Sequence, residues 1–420
     1  MSAATVHIVG AGIAGLSAAT ALAGRGSRVA LYEATGHAGG RCRSYHDAVL
    51  GRTIDNGTHV LVGANRAAFR YLRRIGAEDR VMALGDGGVP FVDLARGERW
   101  RARLGGGAVP WWMLFPGRRI PGTGLGEHLR LSRLFAAAPD ATVAACLGHG
   151  PLMDRLWRPL TEAALNTAPE EASARLLVPV VRGMLMGGAD AARVHVARDG
   201  LGPAFIEPAL ALLAQHGVAA RLGARLRQLD VTHGRVTGLV FDDARIAIAV
   251  GDAVVLAVPA GVAANLVPGL TVPLAHRPIV NVHIALDGSP TNPEPLVGVL
   301  GGTAHWFHRR GALLLATVSA AVALAEQSAE AIAAAIWRDA ARALGLDGPL
   351  PRHRVVKERL ATFAQTPTEV ARRPAARTTS RNLILAGDWT ATGLPATIDS
   401  AALSGETAAA LAHAIVSERH

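Results

Sequence analysis

Cysteine is almost missing from this chain of 420 residues: Cys42 and Cys146 are its only two, and their spacing matches no metal-ligand or redox motif. That excludes a disulfide scaffold and a thiolate cage, so no metal is expected and a reducing, cytoplasmic compartment is the natural setting. Lysine is scarcer still, with Lys357 alone, and aromatic residues make up 4%. The three tyrosines all precede residue 72. Long apolar runs are also lacking. The most lipid-like stretch, residues 311–325, falls short of the ~20 residues a membrane-spanning helix needs. The first apolar run, residues 6–9, meets a glycine loop at once, unlike a leader peptide. The expectation is a soluble or peripheral protein.

What is present is globular in character: half of the residues are apolar and 18% are charged. The length exceeds one simple core and suits two interleaved domains. The net charge is +10, from 43 basic and 33 acidic residues. Such a balance fits nucleic acid or an anionic membrane surface. Yet the basic residues are almost all arginine in a chain rich in Ala and Gly, which reads as a composition bias, and no nucleic-acid motif accompanies them. No nucleic-acid partner is expected.

Along the chain, residues 5–9 form an apolar run, Gly10-Ala-Gly12-Ile-Ala-Gly15 a tight turn, and residues up to Ala23 an apolar helical pattern. Residues 28–33 read as a second strand, which completes a βαβ unit. Residues 65–75 have helical periodicity, residues 82–126 are dense in Gly and Pro, and helical patterns run from 127 to 188. A strand-rich block at 218–256 breaks at His233-Gly234 and Asp242-Asp243 and ends in a buried run closed by Pro259. Further strands are read at 279–286, 313–319 and 382–386, with helices at 329–344 and 398–416.

The first turn carries the clearest chemistry. Gly10 permits the bend, Gly12 lets the backbone approach a pyrophosphate, and Gly15 lets the helix pack closely on the sheet. The helix N-terminus then faces the negative charge. Glu33 ends the second strand 23 residues after Gly10, where a carboxylate reaches the ribose hydroxyls of an adenosine. A dinucleotide site follows.

A second glycine pair, Gly39-Gly40-Arg41, comes next, and Ala386-Gly387-Asp388 follows a buried strand near the end. This pairing resembles flavoproteins of the amine oxidase and phytoene desaturase superfamily, and the resemblance implies FAD. It also implies that Asp388 takes a ribityl hydroxyl, the alternative being a helix or turn cap. Closer still, Asp55-Asn-Gly-Thr-His59-Val-Leu-Val-Gly63-Ala, Trp157-Arg-Pro-Leu160 with Ala164-Leu-Asn166-Thr and Ala172-Ser173, and Gly387-Asp-Trp-Thr390-Ala-Thr-Gly393-Leu-Pro395-Ala-Thr397-Ile are similar to segments of the squalene-associated FAD-dependent desaturases. Matching segments run from residue 6 to about 410. Asp399-Ser400 departs from that pattern, where Glu and Gly are expected.

The implied fold is α/β, a Rossmann-type FAD domain with a discontinuous α+β substrate domain. Residues 1–80, 195–270 and 376–420 would form the first, and 81–194 and 271–375 the second. The expected FAD contacts are Gly10, Gly12, Ile13, Ala14, Gly15, Glu33, Ala34, Gly39, Gly40, Arg41, Gly57, Thr58, Leu226, Pro259, Gly387, Asp388, Leu394, Pro395, Ala396, Thr397 and Ile398. Attachment would be non-covalent, with a covalent bond through Cys42 or a histidine as the minor alternative.

The family implies that reduced FAD removes the hydroxyl of hydroxysqualene, a hydrophobic C30 isoprenoid, to give squalene in hopanoid biosynthesis. That hydroxyl lies beside a double bond, so its loss leaves an allylic cation. A general acid would assist departure and a reduced flavin would deliver hydride. Asp55 and His59 are the candidate catalytic residues; otherwise Asp55 caps a turn and His59 is a satisfied imidazole near the core. Asn166 is placed to orient the hydroxyl or to pack inside a helix. No second glycine fingerprint marks an NAD(P)H site, so the external electron donor is unknown. Arginines flank Trp111-Trp-Met-Leu-Phe115, which suits peripheral contact with the inner face of a membrane or, equally, a buried wall. The rival readings are a phytoene-type desaturase, a flavin amine oxidase, and a redox-inactive FAD-binding scaffold.

Overall fold

The computed structural model describes residues 4–85, 88–103, 111–188, 190–286 and 295–417. Five short parallel strands form one sheet in the order Ala220–Arg221, Arg28–Tyr32, Thr5–Val9, Ala253–Leu256, Leu383–Leu385. The central strands are runs of Val, Ile and Leu because both faces of the sheet are covered: Val6, Ile8, Val254 and Val255 are all fully buried. One face carries the first helix, Ile13–Ala23, and the last, Ile398–Ser417. The other carries a meander of Leu226–Thr232, Arg235–Phe241 and Arg245–Ala247. Its first turn is His233-Gly234, both at positive φ, the backbone that fits a tight hairpin.

The first helix is apolar all round and buried at every position but Ala21, as a helix in the middle of a core must be. It crosses the last helix at very short range. A Cβ on Gly405 would lie 2.3 Å from the carbonyl oxygen of Ala14, and Ser17 Oγ donates to the Ala402 carbonyl at 2.9 Å. Each helix follows a parallel strand, the first after a short turn and the last after residues 386–397.

A mixed seven-stranded sheet makes the second layer, in the order His353–Phe363, His276–Ala285, Leu313–Val318, Trp306–Arg310, Leu296–Leu300, Gly88–Asp93, Glu98–Arg103. Alternate residues point to opposite faces. Val280, Val282, Ile284, Phe307, Leu314 and Ala316 pack against the helix Ala329–Leu344. The other face carries a row in register: Asn281, Thr317, Trp306, Gly298, Phe91 and Trp100. Helices between Leu125 and Met186 cover its aromatic end around Leu134, Trp157, Leu165 and Leu177. The two strands at 88–103 lie in the stretch whose sequence showed only Gly, Pro and charge. Their alternation is real, since Trp100 and Ala102 are buried while Arg99 and Arg103 are exposed, but arginine on the open face disguises it.

Gly405→Val should destabilise the fold by about 1–3 kcal/mol through overpacking at the helix crossing. The check is the midpoint of thermal unfolding, and an unchanged midpoint would mean the two helices are free to move apart.

Candidate active site

The first glycine turn is fixed by contacts that allow no side chain. Gly10 has φ +106° and its Cβ would meet Ala257 O at 2.3 Å, while a Cβ on Gly15 would lie 1.8 Å from Gly10 O. Gly12 differs: nothing lies within 4 Å of where its Cβ would be. Open space beside a backbone turn is what the approach of a pyrophosphate requires. Ile13 and Ala14 follow in a first helical turn with no capping side chain and no acid. The second turn folds onto the first, since Gly39 N donates to Ala11 O at 2.8 Å and a Cβ on Gly40 would stand 3.6 Å from Gly12 Cα. Glu33 is buried and accepts from Ala11 N at 2.8 Å and from Thr35 N at 2.9 Å, with Ala34 between them. Cys42 packs behind this turn, and burial pushes its thiol well up, so it stays protonated.

The C-terminal segment reaches the same place. Arg41 pairs with Asp388 at 2.7 Å and donates to the Ala361 carbonyl at 2.7 Å, joining residues 347 apart in sequence. Gly387 lies at positive φ with its N–H on Ser404 Oγ, and a Cβ there would collide with the Trp389 indole. Leu394, Pro395, Ala396 and Thr397 form the loop into the last helix, where Thr397 Oγ1 accepts from Ser400 N at 3.3 Å and so caps the helix before Ile398. The departure at Asp399 has a structural role: its carboxylate accepts from Ala68 N at 2.9 Å at the start of the helix Arg66–Arg74. Opposite this loop, Gly57 and Thr58 lie on the polar face of the seven-stranded sheet, with Thr58 N donating to Asn281 Oδ1 at 3.2 Å. Thr58 Oγ1 is buried without a partner.

Two helix N-termini, an arginine, open space at Gly12 and an orphaned hydroxyl at Thr58 therefore line one groove. The donors suit an anionic, hydroxyl-bearing dinucleotide, and FAD fits them. Leu226 and Pro259 stand further back. Leu226 packs in the meander with Tyr32 and Leu256, and Pro259 starts the helix Ala260–Leu266 after the strand that Gly10 abuts.

The three catalytic candidates fare differently. Asp55 is buried; one oxygen accepts from Ser44 Oγ at 2.5 Å and Leu201 N at 2.9 Å, and the other pairs with Arg310. These contacts give Asp55 a bracing role between Ser44, Leu201 and Arg310. Asn166 is not inside a helix but ends one, in the left-handed region at φ 47°. Its side chain donates to Arg277 O and Thr362 Oγ1 and accepts from Ala320 N, so it ties the helix end to two strands and to the bend after a third. His59 is half-buried beside Gly57, and burial with the Arg41 cation holds its pKa below the usual value. It is a neutral imidazole at neutral pH, suited to accept a hydrogen bond.

Two residues of the site escaped the sequence reading. Arg373, 8% exposed, donates to the carbonyls of Leu394 and Asp388, and burial pulls its pKa to about 10. Gln365 is fully buried and joins Ala396 N to Leu165 O. A lone polar residue after an apolar strand end was the available signal for Gln365.

Fold and groove together define a flavin-dependent oxidoreductase: residues 13–413 match the family of flavin containing amine oxidoreductases, to which the chain belongs. Among solved structures, cyclohexylamine oxidase from Brevibacterium oxydans shares the fold, with a TM-score of 0.71 over 99% of both chains at 18% identity. Within the family the chain falls with the hydroxysqualene dehydroxylases. It is 44% identical over 408 residues to that of Sinorhizobium fredii, covering 97% of this chain and 98% of the relative. It is 44% identical over 409 residues to that of Rhodopseudomonas palustris, with the same coverage.

Gly12→Val should fold with a near-native melting midpoint yet lose the yellow colour of bound FAD, whereas Gly15→Val should not fold. Flavin absorbance and circular dichroism separate the two; FAD retained by the Gly12 variant would place the pyrophosphate elsewhere.

Proposed function

We propose that this enzyme reductively removes the hydroxyl of hydroxysqualene to give squalene. The observation behind this reading is that the likeness to hydroxysqualene dehydroxylases runs over 97% of the chain, so it takes in the substrate-side helices and sheet as well as the glycine turns. Bound FAD, in its reduced form, supplies two electrons as hydride. The backbone of Gly10–Gly15 and Gly39–Arg41 would hold its pyrophosphate, Glu33 and Ala34 the adenosine ribose, and Asp388 the ribityl chain. Gly57, Thr58 and residues 394–398 would hold the ring system. The protein's remaining work is to keep the allylic carbon in place, exclude water around a forming cation, and lend a proton to the departing oxygen.

Photoreduced enzyme mixed anaerobically with hydroxysqualene should regain its oxidised flavin spectrum and yield a matching amount of squalene. A flavin that stays reduced would remove the reading and bring the desaturase alternative forward.

We further propose a peripheral contact with anionic lipid. No helix among the described residues is long and apolar enough to cross a membrane. The short turns Trp111–Leu114 and Pro116–Arg118 and the helix Leu125–Leu129 leave Leu114, Phe115 and Leu129 more than half exposed. Arg118 lies over the Phe115 ring at 5.7 Å, and exposed Arg133 follows nearby in the chain. The side chains of Trp111 and Trp112 lie outside the described residues. Arg99 and Arg101 donate to the carbonyls of Ala343 and Gly88. A C30 hydrocarbon dissolves only in a bilayer, and arginine beside apolar tips suits an anionic surface. Phe115→Ser with Leu129→Ser should weaken co-sedimentation with phosphatidylglycerol vesicles several-fold; equal binding would discard the contact.

A further inference from the structure

Removing a hydroxyl needs a proton donor, and among the sequence candidates Asp55 is ion-paired, Asn166 has both amide hydrogens engaged and His59 has a lowered pKa. We propose that Glu162, on the helix Arg158–Leu165, is the general acid that protonates the leaving oxygen, with His305 beside it. The assignment rests on the dehydroxylase reading above.

The placement comes first. Glu162 O accepts from Asn166 N at 3.0 Å, so the carboxyl stands one turn before the residue that ties this helix to the seven-stranded sheet. Leu165, at the same helix end, is joined through Gln365 to Ala396, in the loop before the last helix. His305 approaches from the sheet. It precedes Trp306, which is in register with Thr317, and Thr317 Oγ1 donates to the Asn281 oxygen that also receives Thr58 N–H. Glu162 and His305 thus meet where the helix Arg158–Leu165 faces the start of the strand Trp306–Arg310, and the end of that helix is linked through Gln365 to the loop before the last helix. Leu160, Ala164 and Trp306 pack on the apolar helical core around them.

The local chemistry matches the task. The Glu162 side chain is 15% exposed, and its Oε2 lies 3.5 Å from His305 Nδ1, a buried nitrogen without a hydrogen-bond partner. Among the described residues the cation paired with it is Arg158 at 3.9 Å, but that guanidinium is already held by both oxygens of Glu170, at 2.6 and 3.1 Å. Burial therefore dominates: it pushes Glu162 up to about 7, with Arg158 pulling down and Glu170 pushing up by less. Burial pulls His305 down to about 4. Near neutral pH a substantial fraction of the carboxyl keeps its proton while the imidazole is uncharged, which is a state a general acid can use.

The step balances. The Glu162 proton goes to the hydroxyl oxygen, the C–O bond breaks with its electron pair leaving in water, and the allylic carbon accepts a hydride from the reduced cofactor. The Glu162 carboxylate then takes a proton back from solvent.

The test uses the holoenzyme in anaerobic single turnover with two substrates, hydroxysqualene and its acetate ester, whose leaving group needs no proton. Flavin reoxidation gives both rates, and their ratio cancels any loss of folded protein. Glu162→Gln should lower the alcohol-to-ester ratio by about 10²-fold or more. The wild-type alcohol rate should fall as pH rises through about 7, as expected for an acid that must be protonated, and this limb should vanish in Glu162→Gln and persist in Glu162→Asp. An unchanged ratio, or equal slowing of both substrates, would reduce Glu162 to a structural residue. A wild-type enzyme that consumes neither substrate would overturn the dehydroxylase reading itself.

Discussion

The near-contact of the first and last helices is the constraint on which the site depends. Two helix N-termini can serve one extended cofactor only if they lie close together, and ordinary side chains would hold them apart. Gly405 against the Ala14 carbonyl removes that obstacle, and Ser17 bonded to Ala402 fixes the sliding register. From this crossing follow the meeting of the Gly10–Gly15 turn with the Gly387–Ile398 loop and the reach of Arg41 to Asp388. The seven-stranded sheet completes the groove by laying Asn281 under Thr58.

How much of this the sequence disclosed depends on how local each requirement is. The glycine turns were legible because a backbone that approaches a phosphate excludes side chains at fixed spacing, and the atom that excludes one at Gly15, the Gly10 carbonyl oxygen, belongs to the same βαβ unit. The family-like segments were legible in the same way. The roles of Asp55 and Asn166 were not, because their partners arrive from afar: Arg310 for the first, Arg277, Ala320 and Thr362 for the second. Spacing along the chain contains no record of such pairings. Glu162 was invisible for a related reason, since its environment is made by burial and by His305, and an isolated glutamate on a helix has an ordinary aspect. The strands at 88–103 were hidden because arginine fills their open face.

The excess of arginine also takes on a definite use in the fold. Several guanidinium groups serve as caps for backbone carbonyls that secondary structure leaves over. Arg373 holds Leu394 and Asp388, Arg99 holds Ala343, Arg342 holds Leu94, Arg155 holds Pro121 and Arg119 holds Met113. A planar fork with five donors can satisfy two carbonyls at once, which a lysine ammonium does less specifically. Part of the positive charge is therefore built into the fold, where it fixes the course of the chain.

The position of Gly405 also bears on how the protein is born. At roughly 5–20 residues per second, a ribosome needs on the order of 20–80 s to pass from the first helix to the last. Throughout that interval the helix Ile13–Ala23, apolar on every side, lacks the partner that finally covers it. In the meantime only earlier elements of the chain can cover it, and flavin cannot be gripped from both ends until the last segment is made. Cofactor loading is in this sense a post-translational event, dictated by which two segments of the chain the fold brings together.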